Sequence, residues 1–146
     1  MKTEPRGMRN KNPLNIRWCA QNNWRGQTGK DEKGFAVFAS NIYGFRAATI
    51  LVKKYIARGQ NTIQKIVSTW APEADGNDVK AYVDYVSKKT SIPADKPITI
   101  YERGKVCAIL KAMAQFECGT PYNKSIVELG YDLAITGTIL NSEIKI

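Results

Sequence analysis

The 146-residue chain contains no histidine, so acid–base chemistry falls to its carboxylates. A Ser-His-Asp or Cys-His hydrolase would lack its base, and the usual zinc peptidase or zinc amidase would lack its imidazole ligands. The three cysteines, Cys19, Cys107 and Cys118, show no CxxC spacing and leave one unpaired if two join. No metal or cofactor is expected. Cys118 adjoins Glu117, but with no histidine to activate the thiol it reads as a small buried residue.

Asp and Glu number 13 in total, and several have structural explanations. Glu102 follows Thr99 by three residues as in a capping box, Asp78 sits behind Asn77 in the first turn of a helix, and Asp84 lies on a polar face. Glu117 has no such explanation. Val106, Ile109, Leu110, Met113 and Phe116 recur at helical spacing, predicting a helix over residues 100–116 that Gly119 stops. Glu117 then falls in the last turn, where the helix dipole opposes a negative charge by about 0.3–1 kcal/mol. Partial burial beside Phe116 would add desolvation, and both effects raise its pKa. A carboxylic acid that stays protonated near neutral pH suits a glycosidase, which must protonate a departing glycosidic oxygen. The plain alternative is an exposed glutamate at a frayed helix end.

A second chemical stretch opens the chain. The run Arg6-Gly-Met-Arg-Asn-Lys-Asn-Pro-Leu-Asn-Ile-Arg17 packs three asparagines and three arginines around a glycine and a proline. Asparagine and glycine favour turns with positive φ, and proline pushes Asn12 away from helix, so the run reads as a constrained polar loop. Asn10, Asn12 and Asn15 offer paired donors and acceptors that could grip hydroxyls and amides, although a generic turn has the same composition. Trp24, among Asn22, Asn23, Arg25 and Gln27, is the better aromatic candidate for a surface contact with a sugar face. Trp70 is expected in the core. Tyr122 either orients Glu117 and substrate or staples a helix entry.

The opening run resembles the RGxRNxNPxNIR start of a family of phage virion-associated and prophage proteins. The resemblance continues through Trp24, Gly29-Lys-Asp-Glu-Lys-Gly-Phe-Ala-Val-Phe38, Tyr43-Gly-Phe-Arg-Ala47, Asn61-Thr-Ile63, Trp70-Ala-Pro72, Gly76-Asn-Asp78 and Tyr82, to Phe116-Glu-Cys-Gly119 and Pro121-Tyr122. Glu117 followed by a small residue and glycine is similar to the Glu-Ser-Gly element of lysozyme-like muramidases, lytic transglycosylases and glucosaminidases. In glucosaminidases that element precedes an Asn-rich loop, a tryptophan, an acidic residue and an aromatic strand. Here it follows them, as a circularly permuted lysozyme-like domain would require. The resemblance implies cleavage of the β-1,4-linked MurNAc/GlcNAc glycan of peptidoglycan, with Glu117 as general acid. It further implies Asp31 or Glu32 as second carboxylate. Asp31 is preferred because it holds the acidic place of the Gly-x-Asp-x-x-Gly-Phe pattern. If neither approaches Glu117, a lytic transglycosylase is favoured, since the muramic acid 6-hydroxyl can attack without a positioned water.

The elements that must position these groups are mostly helical. Phe35-Ala-Val-Phe38 predicts a short strand, paired with the segment near residues 15–18. Ile42, Phe45, Thr49, Val52 and Ile56 mark one helix ending at Gly59. Ile63, Ile66 and Val67 mark a second, capped by Asn61 and closed by Ala71-Pro72. Residues 79–89, 100–116 and Lys124–Thr136 predict three more. The expectation is a mainly α (α+β) fold, one lysozyme-like domain over residues 1–146 with about five helices and a small β element. The only internal linker candidate is the proline-containing stretch 91–98.

A chain this long with 43% hydrophobic residues suffices for one core. Its net charge of +9 implies an anionic partner: nucleic acid, a membrane surface or the acidic polymers of a bacterial envelope. The clusters Arg6/Arg9/Lys11 and Lys53/Lys54/Arg58 lack the repeated spacing of a groove-reading helix, so no obligate nucleic acid is expected. No apolar run approaches the ~18 residues of a membrane span, and the polar start lacks a signal-peptide core. Delivery to the periplasm or cell wall would therefore depend on a virion, holin or secretion component. The competing expectation is a non-catalytic virion structural or adaptor protein whose basic surface binds DNA or envelope polymers.

Overall fold

Val106, Ile109, Leu110 and Met113 are all 1% exposed or less, and the helix that carries them, Arg103–Cys118, runs through the centre of the molecule. The computed structural model describes residues 4–137. Among these the order is α1 (Arg6–Arg9), β1 (Gln27–Lys30), β2 (Ala36–Phe38), α2 (Asn41–Ala57), α3 (Ile63–Trp70), α4 (Val79–Thr90), α5 (Arg103–Cys118) and α6 (Lys124–Thr136), with a 3-10 turn at Glu73–Asp75. The architecture is mainly α with a small β element, as the periodicity implies.

Helix α5 packs against α4 on one side and α6 on the other, and α2 lies along α6 in the most extensive helix pair. Gly130 permits that approach. A Cβ there would stand 2.5 Å from Phe45 Cβ and 2.9 Å from the Ile42 carbonyl oxygen. Buried side chains of the size of Leu110 or Met113 each stabilise the fold by about 1.5–3 kcal/mol. Most of the buried hydrophobic residues form one cluster, which includes Ile92 and Ile98. The 91–98 stretch is accordingly not a linker: the Gln64 N–H donates to the Ala94 carbonyl and the Ile98 N–H to that of Asn61.

Several boundaries differ from expectation for local reasons. Helix α5 starts at Arg103 rather than at residue 100. Thr99 N–H donates to Glu102 Oε2 at 2.7 Å, but the Glu102 amide turns to the Thr99 carbonyl instead of its hydroxyl, so only half of a capping box forms. Thr62, not Asn61, caps α3, its hydroxyl accepting from the Lys65 N–H. Asp78 caps α4 through the Ala81 N–H. Strand β2 pairs antiparallel with β1, and the 15–18 segment joins the hairpin at the Arg17–Phe35 bridge, where the Ala36 N–H donates to the Ile16 carbonyl and the Trp18 N–H to that of Gly34.

The opening run is a loop held from within. Its first residues coil into α1, and Asn12, fully buried, spends its whole side chain on backbone. Its Nδ2 donates to the carbonyls of Ile16 and Ala36, and its Oδ1 accepts from the Ile16 N–H, each at 2.9 Å. The loop is thereby stapled to β2. Gly7 lets it lie against the end of α5, because a Cβ there would come within 2.5 Å of Cys118 Sγ and 3.1 Å of Asn15 Oδ1.

Candidate active site

Glu117 stands four residues after Met113 and seven after Leu110, so it occupies the buried face of α5 itself. Phe116 is displaced to the edge of that face. It is 40% exposed and stacks on Tyr82 with ring centroids 4.1 Å apart. The helix ends one residue beyond Glu117, where Gly119 takes φ 72° and returns its N–H to the Gln115 carbonyl.

Two side chains hold the carboxylate. Asn15 Nδ2 donates to Oε1 at 3.1 Å, and Tyr82 Oη donates to Oε2 at 2.9 Å. Asn15 reaches it from a left-handed backbone, φ 53°, a conformation that asparagine tolerates better than most residues. Tyr82 is only 2% exposed. Burial and the neighbouring Glu117 charge push its phenol well above the usual tyrosine range, so it remains the donor. Burial raises the pKa of Glu117, and the two hydrogen bonds draw it partly back. Among the described residues no cation lies within ion-pair distance of this carboxyl to hold it ionised.

Glu117 and Asn15 line a cleft of about 520 Å³. The opening loop contributes Arg6, Leu14, Ile16 and Arg17, the hairpin contributes Phe35, and α2 contributes Leu51 and Tyr55. Trp70 and the segment after it, with Pro72, Asp75 and Asn77, line another wall, and Asn22 also reaches the cleft. Residues about a hundred positions apart in the chain therefore meet at one site. Trp70 is half-buried rather than core. Its Nε1 donates to the Leu14 carbonyl at 3.2 Å, its ring meets Tyr55 edge-on, and it faces the cleft as well.

The other predicted site residues lie outside the cleft lining. Asp31 accepts from Asn10 Nδ2 and from the N–H groups of Lys33 and Phe35, with Arg6 Nε 3.4 Å away. These bonds, that from Asn10 foremost, hold its carboxyl at about 2. Asp31 thus shapes the hairpin turn, with Asn10 as its partner. Glu32 is exposed in that turn. Asn12 is consumed by backbone. Trp24, with 9% exposure, turns into the core although its sequence neighbours are polar. Tyr122 lies behind the end of α5, its ring edge-on to Phe45 and its hydroxyl 3.6 Å from Cys118 Sγ. Cys118 is buried, and burial pushes its thiol up.

Three groups escaped the sequence argument. Tyr82 was visible there only as an aromatic position of the family pattern. Trp70 looked like core, and Asp75, the other carboxylate of the lining, sits in an exposed 3-10 turn that no periodicity marks.

No helix among the described residues is long and apolar enough to cross a membrane. The sequence matches no protein-family model. It is 31% identical over 137 residues to protein P5 of Pseudoalteromonas phage PM2, an alignment that spans 90% of this chain and 83% of P5. With that identity over nearly its whole length, the chain belongs to the same family of phage proteins as P5.

Proposed function

We propose that this protein is a peptidoglycan-cleaving glycosidase of the lytic transglycosylase type, with Glu117 as its acid. The observation that carries the proposal is a raised-pKa carboxyl in a cleft, fixed by two neutral donors. Protonated Glu117 would give its proton to the glycosidic oxygen as the bond from the anomeric carbon to that oxygen breaks. Asn15 and Tyr82 would stabilise the carboxylate left behind, two donors aimed where charge develops. The carboxylate would then accept the proton of the muramic acid 6-hydroxyl as that oxygen bonds to the anomeric carbon. The 1,6-anhydro end closes and no water is consumed. This route suits a cleft whose lining does not include Asp31 or Glu32.

Asp75 supports a hydrolytic variant of the same activity, since it puts a second carboxylate in the lining. In either version the permuted lysozyme-like reading accounts for the meeting of the opening loop with the C-terminal acid. The enzyme would act on the glycan strands of the host wall, carried by the virion or delivered to the periplasm with other phage components. Zymography in a peptidoglycan-impregnated gel tests the proposal. Clearing by the wild type and none by a folded Glu117→Gln variant is expected. Equal clearing by both would overturn the assignment, and failure of the wild type to clear would favour the adaptor role.

A further inference from the structure

Arg6 and Arg17 both stand over the ring of Phe35, each guanidinium carbon 4.6 Å from its centroid, and all three residues line the Glu117 cleft. The pair is asymmetric. Arg6 lies 3.4 Å from Asp31 Oδ2, and that carboxylate stays charged because Asn10 and two backbone N–H groups also bond to it. Arg17 is exposed and, among the described residues, has no carboxylate within ion-pair distance. Stacking on an aromatic face fixes a guanidinium in orientation while leaving its N–H edge free for a planar anion. Phe35 is itself fixed, because its N–H donates to Asp31 and its backbone bridges to Arg17.

We propose that Arg17, which shares the Phe35 ring with Arg6, is an anion subsite that receives a carboxylate attached to the sugar being cleaved. The proposal rests on the glycosidase reading and narrows its substrate. The glycan must carry carboxylates, from the peptide joined to the muramic acid lactyl group or, where that peptide has been removed, from the freed lactyl group itself, and a neutral N-acetylglucosamine polymer would be a poor substrate. Bidentate guanidinium–carboxylate pairing would hold the muramic residue in one register along the cleft. The +9 charge of the chain would draw it to an anionic wall, and this subsite would select the register once there.

The test compares wild type, Arg17→Gln and Lys88→Gln, the last removing one charge from the exposed face of α4, outside the cleft lining. Three wall preparations serve as probes: native sacculi, amidase-stripped strands that keep only the lactyl carboxylate, and sacculi whose carboxylates have been amidated with carbodiimide and ammonia. Release of soluble glycan gives kcat/KM, and sedimentation of the same substitutions in a Glu117→Gln background gives binding. Arg17→Gln is expected to lose about tenfold on native sacculi, and Lys88→Gln less than twofold. All three proteins should be equally slow on amidated sacculi. Retained discrimination on stripped strands shows that a carboxylate on the muramic residue itself suffices, and its loss there assigns the carboxylates of the attached peptide. A similar loss in Lys88→Gln, or no loss in Arg17→Gln, would overturn the subsite in favour of diffuse attraction. If no protein releases glycan, the glycosidase reading fails. The subsite then stands or falls on whether sedimentation depends on Arg17 and on wall carboxylates.

Discussion

Replacing Glu117 by glutamine should separate the cost of burying this acid from its use. The amide keeps the shape and can satisfy both neighbours: its oxygen accepts from Asn15 Nδ2, and its nitrogen donates to Tyr82 Oη, which then donates to the Met113 carbonyl, already 3.4 Å away. What disappears is a carboxylate whose charge is disfavoured by burial. Because the folded pKa lies above the unfolded value, the group's stabilising contribution is complete below the unfolded pKa and is lost as pH rises through the folded pKa. At neutral pH Glu117→Gln should therefore be more stable than wild type by about 1 kcal/mol, the usual scale for relieving an active-site compromise. For a chain of this length that is about 4 °C in Tm. The gain should shrink as pH falls and vanish below about 4, where both chains are neutral at this position. Wall-degrading activity should drop about 10²–10⁴-fold, the span of general acid catalysis. Thermal unfolding followed by circular dichroism from pH 3 to 8, beside the activity assay, measures both. A variant less stable than wild type at neutral pH would refute the claim that Glu117 is held against its preference for water.

Further outcomes follow from the neighbours. Tyr82→Phe removes a bond that draws the Glu117 pKa down, so the alkaline limb of the pH–rate profile should move to higher pH while kcat falls about tenfold. An unmoved limb would mean that Tyr82 only fills space. Asp75→Asn should leave most activity and the anhydro product in place; a loss comparable to that of Glu117→Gln would assign Asp75 as the second carboxylate of a hydrolase. Asp31→Asn should lower Tm at neutral pH, with the difference disappearing as pH falls from the ordinary aspartate range through about 2, because a depressed carboxylate stabilises only while ionised. Activity should also survive EDTA, and loss restored by zinc or calcium would contradict a carboxylate-only mechanism.

The helices were legible because periodicity reports burial. The stripe from Val106 to Met113 is the core face of α5, and the same stripe, continued by four residues, lands on Glu117 rather than on Phe116. Sequence spacing thus carries the best evidence for a buried acid, although Phe116, one position earlier, is the more conspicuous apolar residue at that end of the helix. Side-chain direction in loops was not legible. Asn12 and Trp24 sit in polar company, yet one turns inward to bond the Ile16 and Ala36 backbone and the other enters the core. Asp31 has the right place in the family pattern, but three donors next to it determine that it organises a turn. Trp70 ends an apolar stripe and reads as core in the sequence, whereas its indole N–H bonds to the Leu14 carbonyl and the residue lines the cleft.

The central claim is that protonated Glu117 cleaves a glycan by assisting ring closure at the muramic acid. Mass spectrometry of the material released from purified sacculi tests it most directly. The expected result is muropeptides ending in 1,6-anhydromuramic acid from wild type and almost none from folded Glu117→Gln. Muropeptides with ordinary reducing ends would contradict the transglycosylase step, and equal release by the variant would contradict the role of Glu117 itself.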